Sequence, residues 1–249
     1  MELDKIYNMD CLDGMRKMDS DSVDAVITSP PYNYNLRIHY GGYGGRSVND
    51  HNKYGKQFQD ALPMEEYFAW QRDCISEMLR ISKGIVFYNI QMLTGNKVAL
   101  CKLLGHFADK VKEIIIWDKI NAEPAMHEGV LNSMFEFIIV FDKNDAIARQ
   151  FKTFNSGRGT IANIFRINKN TEKGISNHNA IFPLLLPRTL THYFTPMGGV
   201  ILDTFIGSGT TAIACIKEKR HFIGFELNKE YYEKACKRIK DEQRQLTLF

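Results

Sequence analysis

Val23-Asp24-Ala25-Val26-Ile27-Thr28-Ser29-Pro30-Pro31-Tyr32-Asn33 decides how this chain is read. An apolar run stops at a polar residue, two prolines and an aromatic ring. The run has the composition of a strand buried inside a parallel sheet. Two consecutive prolines end it, because neither carries an N–H for the ladder and each fixes φ near about −65°. The expected strand closes at Ser29, and a stiff, extended turn follows at its carboxyl end. That edge of an open α/β sheet is where ligands bind. The turn offers the Ser29 hydroxyl, carbonyls not committed to a helix, and the flat ring of Tyr32. Such a set suits a planar group bearing an amino function: acceptors for the NH₂ and a face for the ring.

A second stretch, Val200-Ile201-Leu202-Asp203-Thr204-Phe205-Ile206-Gly207-Ser208-Gly209-Thr210-Thr211-Ala212, reads as strand, acid, glycine turn and helix start. Glycine permits the tight turn and a close backbone approach, and Thr210 or Thr211 can cap the helix. His221-Phe222-Ile223-Gly224-Phe225-Glu226-Leu227-Asn228 then gives another short strand ending in an acid, 23 positions after Asp203. A carboxylate there is placed for ribose hydroxyls, as in nucleotide-binding sheets. A phosphate-binding loop is excluded, because Gly207-Ser208-Gly209-Thr210-Thr211 lacks the lysine.

Together these stretches resemble the DNA amino-methyltransferases, which move a methyl group from S-adenosylmethionine to an exocyclic base nitrogen. Ser29-Pro30-Pro31-Tyr32 matches the (D/N/S)-P-P-(Y/F) catalytic motif of that family, and Asp203 to Thr211 its D-x-F-x-G-S-G-T-T cofactor loop. The catalytic motif comes first, which resembles the permuted β arrangement with target recognition between the two. The likeness runs from Asp10 to Arg238. It implies catalysis by Ser29, Pro30, Pro31 and Tyr32. It also implies S-adenosylmethionine contacts from Asp203, Phe205, Gly207, Ser208, Gly209, Thr210, Thr211, Glu226 and Asn228. Asp10 and Cys11 are implied at the adenine end, although Asp10 is equally a helix cap. His178 to Pro183 resembles an H-P-A-x-F-P segment that lies under the methionine part, with Phe182 as its ring and Asn179 where proline is usual. Serine in place of the acid of D-P-P-Y leans the target towards cytosine N4, with adenine N6 as the alternative; Asn33 also occurs among adenine enzymes. RNA or protein methylation, and an inert nucleic-acid-binding module, are the rival readings.

Length and composition fit this frame. A chain of 249 residues can bury a full core as one domain, residues 1–249, and 44% hydrophobic with 24% charged residues is ordinary for a globular protein. Helical and strand patterns alternate along it: helices over 64–82 and 98–107, and strands over 84–90, 111–117 and 134–141. The expected fold is therefore an α/β doubly wound, mostly parallel sheet of the seven-stranded, Rossmann-like methyltransferase type, with helices on both faces. No apolar run of about 18 residues and no signal-peptide pattern occur, so the expectation is a cytoplasmic protein of a bacterium, archaeon or phage, away from membranes. Five cysteines without a C-x-x-C pair read as reduced thiols, neither a disulfide frame nor a zinc site.

Net charge is only +3; its distribution is more telling. Residues 34–62 lack apolar periodicity and combine paired glycines, four tyrosines and the cations Arg37, Arg46, Lys53 and Lys56. Beside a catalytic turn, that composition predicts a mobile flap closing over double-stranded DNA, the bland reading being a solvated insertion. Residues 142–177 form a second such stretch, including Arg149, Lys152 and Arg158, with seven cations against three acids. It is the predicted target-recognition region, or else a charged surface linker. His127, alone in a polar loop, reads as solvated. The resemblance leaves room for a homodimer and for a cognate restriction endonuclease.

Overall fold

The computed structural model describes residues 1–34, 38–39, 42–43, 60–121, 128–129, 131–144, 146–168 and 183–246. In chain order the elements are β1 (Lys5–Tyr7), α1 (Cys11–Met15), β2 (Val23–Thr28), β3 (Ile38–His39), β4 (Gly42–Tyr43), α2 (Met64–Ile81), β5 (Ser82–Ile90) and α3 (Lys97–His106). There follow β6 (Val111–Asp118), β7 (Phe135–Asp142), β8 (Ile164–Arg166), α4 (Leu185–Phe194), β9 (Val200–Asp203), α5 (Thr210–Lys217), β10 (His221–Phe225) and α6 (Lys229–Leu246).

Local chemistry sets these bounds. Pro63 precedes α2, where its missing N–H is no loss; Glu65 and Glu66 occupy the first turn and Arg80 the last, matching the helix dipole. Tyr67, Gln71, Cys74, Ile75 and Met78, at helical spacing, make its buried face. β2 ends at Thr28 as the two prolines require.

Eight strands form one sheet in the order β1-β10-β9-β2-β5-β7-β6-β8, while β3 and β4 pair by themselves. All neighbours are parallel except those of β7, which runs against β5 and β6. The sheet is mostly parallel, as expected, with one strand more than the seven anticipated. That extra strand, β8, lies inside the stretch 142–177, and three residues are too few to display a period.

The strands carry apolar side chains on both faces because both are covered. Val26, Val86, Leu202 and Ile223 point to the layer holding α1, α2 and α3. Their chain neighbours Ile27, Phe87, Ile201 and Phe222 point to the layer holding α4, α5 and α6. From β2 the chain crosses through α2 to β5 on one side; from β9 it crosses through α5 to β10 on the other. The strand order therefore diverges between β2 and β9, and a crevice opens beyond their carboxyl ends. Among the described residues, no helix is long and apolar enough to cross a membrane.

Candidate active site

Ala25 pairs with Ile201 and Val26 with Leu202. The two stretches that frame the sequence reading are thus adjacent strands, and their loops leave side by side at the switch point. A cross-link fixes the join. Thr28 Oγ1 donates to Asp203 Oδ1 at 2.8 Å and lies 3.0 Å from Thr204 Oγ1. Thr211 Oγ1 donates to Asp203 Oδ2 at 2.6 Å, and the Phe205 N–H to Oδ1 at 3.1 Å. Asp203 is buried, and burial pushes its carboxyl up to about 6 although Thr211, Thr28 and the Phe205 amide pull it back. These partners make it the internal anchor of the glycine turn.

Beyond Asp203, Gly207 and Gly209 adopt φ of +51° and +83°, the left-handed region open to glycine. Gly209 is the N-cap of α5. Arg238 on α6 donates to Thr210 Oγ1 at 2.9 Å and to the Ser208 carbonyl at 3.2 Å, bracing the turn from outside. Glu226 follows β10: its Oε2 accepts from the Gly207 N–H at 3.0 Å and its Oε1 from the Asn228 N–H at 2.7 Å. Burial raises its carboxyl to about 7, against the lowering effect of those amides. Asn228 caps α6 through the Glu230 N–H. Phe205 stacks edge-on against Trp70 of α2, their centroids 5.6 Å apart. At the far side of the crevice Asp10 caps α1, accepting from the Leu12 and Asp13 N–H groups. Cys11 is buried with its sulfur 3.8 Å from that of Cys74.

The Pro-Pro-Tyr turn is held at several points. The Pro31 carbonyl accepts from Tyr67 Oη at 2.8 Å and the Tyr32 carbonyl from Asn96 Nδ2 at 2.9 Å, whereas none of the described residues donates to that of Pro30. Asn33, at φ +57°, donates to the Leu62 and Gly95 carbonyls and accepts from the Leu62 N–H. The Tyr34 N–H adds a bond to Asp60. Both ends of the 34–62 segment are thereby fastened to the catalytic turn.

Ser29 Oγ and Tyr32 Oη are 2.9 Å apart, and three further residues converge there that sequence reading did not name. Tyr32 Oη donates to Glu136 Oε2 at 2.8 Å; Asn89 Nδ2 reaches Tyr32 Oη at 2.6 Å and Glu136 Oε2 at 2.7 Å. Lys119 Nζ sits 2.8 Å from Glu136 Oε1. A signal existed: Asn89 and Glu136 are buried polar residues within the apolar stretches of β5 and β7, and such residues need a partner or a purpose.

Of the cations expected to meet DNA, Arg37, Arg46, Lys53 and Lys56 lie outside the described residues, as do Phe182 and His127. Arg149 reaches Glu113 near the start of β6, and Lys152 lies over Phe154, whose N–H bonds to Tyr193 at the end of α4. Both belong to the opposite edge of the sheet, so the structure does not bring them to the crevice. Arg158 lies exposed in the turn leading to β8. Arg166 does lie at the carboxyl edge of the sheet, at the end of β8 and 3.6 Å from Asp118 at the end of β6.

An acid and a glycine turn on one strand pair, facing a Pro-Pro-Tyr turn on the next, can hold an adenosine-bearing methyl donor against a planar amine. That is the work of an S-adenosylmethionine-dependent methyltransferase. A family model described as DNA methylase (N6/N4) matches residues 23–237, and the chain belongs to that family of S-adenosylmethionine-dependent DNA amino-methyltransferases. Among curated relatives, the Type II methyltransferase M.SmaI of Serratia marcescens is 27% identical, over 94% of this chain and 90% of its own. The solved PvuII DNA methyltransferase, described as cytosine-N4-specific, superposes with a TM-score of 0.72 at 18% identity, covering 97% of this chain and 91% of that one. The M1.HpyAVI complex with its SAM ligand gives 0.61 at 21% identity, over 94% and 98%.

Proposed function

We propose that the chain methylates N4 of a cytosine flipped out of duplex DNA. One observation carries this reading: the strand ending in Ser29-Pro30-Pro31-Tyr32 and the strand ending in the Gly207 turn are hydrogen-bonded neighbours. Glu226 would hold the ribose of S-adenosylmethionine, and the Gly207–Thr211 turn would approach its backbone-facing side. The fit is supported by the half-buried carboxylate and by open space at Gly207, where an added Cβ would meet only the Phe205 carbonyl, at 3.9 Å. When bound, the cofactor supplies a sulfonium methyl group, which needs no further activation.

The chain's own residues must make a poor nucleophile adequate, since the lone pair of an aromatic amine is delocalised into its ring. Ser29 Oγ and the Pro30 carbonyl accept hydrogen bonds from the NH₂, drawing nitrogen towards tetrahedral geometry. Positive charge grows on nitrogen during transfer, so these acceptors bind the transition state more strongly than the ground state. The Tyr32 ring stacks on the extruded base, which cannot reach the donor from inside the helix. Alignment itself contributes; well-oriented systems gain roughly 7–11 kcal/mol. Two segments are proposed to meet DNA: 34–62, fastened beside Tyr32, and 142–177, which places Arg166 at the carboxyl edge of the sheet. A restriction endonuclease reading the same site is the proposed companion, and a homodimer the proposed assembly.

The test is methylation of duplex DNA with labelled S-adenosylmethionine, followed by digestion to nucleosides and mass spectrometry. N4-methyldeoxycytidine is expected. N6-methyldeoxyadenosine would overturn the base assignment, and label appearing only in RNA or protein would overturn the DNA reading.

A further inference from the structure

A lysine–glutamate ion pair lies buried beneath the Pro-Pro-Tyr turn, and the chemistry so far leaves it without a task. Lys119, just past the end of β6, and Glu136 on β7 are 6% and 8% exposed, and the two strands pair beside them, Trp117 against Glu136. Withdrawing two charges from water is expensive, and apolar residues of similar volume often serve stability as well. Counting protons shows what the pair can do. Glu136 as a carboxylate only accepts, and its Oε2 takes bonds from Tyr32 Oη and Asn89 Nδ2. Turning the Asn89 amide over would set its oxygen against that carboxylate. Nδ2 therefore faces the network, although Oδ1 is then buried without a partner among the described residues.

Tyr32 has one hydroxyl proton, and Glu136 takes it. Tyr32 Oη must then accept from its remaining neighbours, Asn89 Nδ2 at 2.6 Å and Ser29 Oγ at 2.9 Å. Ser29 in turn has one proton, and it is spent on Tyr32. Its lone pairs are left facing the crevice. The direction of every bond in the chain is thus fixed by the charge at its far end, which Lys119 holds in place at 2.8 Å.

We infer that Glu136 is a positioning residue that acts through Tyr32 to make Ser29 a hydrogen-bond acceptor, and that it is the final acceptor of the proton the amine loses. The inference rests on the functional reading above and deepens it. In the transfer, the carbon–sulfur bond of the donor breaks as the carbon–nitrogen bond forms. One amine proton moves to Ser29 Oγ, the Ser29 proton to Tyr32 Oη, and the Tyr32 proton to Glu136 Oε2. Sulfonium and carboxylate become thioether and carboxylic acid, so charge balances, and the proton later leaves to solvent. The negative charge that an aspartate would place at position 29 is supplied from β7, two hydrogen bonds away.

The experiment compares wild type, Tyr32→Phe, Glu136→Gln and the double variant in single-turnover methylation at saturating DNA and S-adenosylmethionine, with cofactor affinity measured by calorimetry. Tyr32→Phe keeps the stacking ring and leaves the Lys119–Glu136 ion pair and the Asn89 bond to Glu136 in place, so it reports even if Glu136→Gln fails to fold. Each single variant is expected to slow transfer about a hundredfold, a typical share for a positioned proton acceptor, with cofactor affinity within twofold. The double variant is expected to be no slower than the slower single, because one chain is cut twice. Active wild type beside a Tyr32→Phe variant within twofold of it overturns the relay alone, as do single losses that multiply in the double variant. A wild type that binds no S-adenosylmethionine and methylates nothing overturns the functional reading and the relay together.

Discussion

Thr28 Oγ1 gives its proton to Asp203 Oδ1 at 2.8 Å, joining two residues 175 positions apart in the chain. The bond ties the end of the catalytic strand to the end of the cofactor strand at the point where the sheet diverges. Thr28→Val keeps the shape, removes the donor, and leaves a buried carboxylate one partner short. A loss of about 1–3 kcal/mol is expected in urea denaturation, together with weaker methyl transfer, since both loops start from this join.

The buried carboxylate itself predicts a pH dependence. The Asp203 pKa rises from 3.8 to about 6 in the folded chain. A group raised by folding favours the native state below its unfolded value, and that advantage disappears as pH rises through its folded value. Wild type should lose stability relative to Asp203→Asn between about pH 4 and pH 6, by ~3 kcal/mol. Parallel urea midpoints for the two proteins across that window would disprove it.

Glu226 predicts a pH dependence of binding. Burial raises its carboxyl to about 7 in the free chain, and in the proposed ribose contact only the carboxylate would accept from both hydroxyls. Affinity for S-adenosylmethionine should fall below pH 7, by up to about tenfold per pH unit. Glu226→Gln should bind weakly at every pH and show a flat profile. Calorimetry between pH 5.5 and 8.5, chosen as about 1.5 units either side of that pKa, decides between these and an affinity indifferent to position 226.

Gly224 predicts a role for space alone. A Cβ at this position on β10 would stand 2.3 Å from Ile206 Cδ1 and 3.1 Å from Ile206 Cβ. Ile206 sits inside the glycine turn, so Gly224→Ala presses on the turn as well as crowding the core. Overpacking of this kind costs about 1–3 kcal/mol. The expected signature is a lower melting temperature with cofactor affinity reduced in the same variant, whereas unchanged affinity would show that Ile206 gives way without moving the loop.

What could be read before folding was whatever is encoded locally. Two prolines after an apolar run end a strand wherever it lies, and glycines between a strand and a helix make a turn in any context. Ser29-Pro30-Pro31-Tyr32 and Asp203 to Thr211 were legible for that reason, as was the helix at Met64–Ile81. Residues whose meaning depends on distant partners were not. That Asp203 also takes hydrogen bonds from Thr28 and Thr211, and that Arg149 lies within reach of Glu113 near the start of β6, could not be seen in the chain itself. Glu136 on β7 and Lys119 just past the end of β6 are 17 positions apart, and no local period announces that their charges meet under Tyr32. Sequence determines where a strand must stop and a turn begin, because those limits arise within a few bonds of the residue. Only the tertiary structure decides which buried polar groups share their protons, because that is settled by which strands lie side by side.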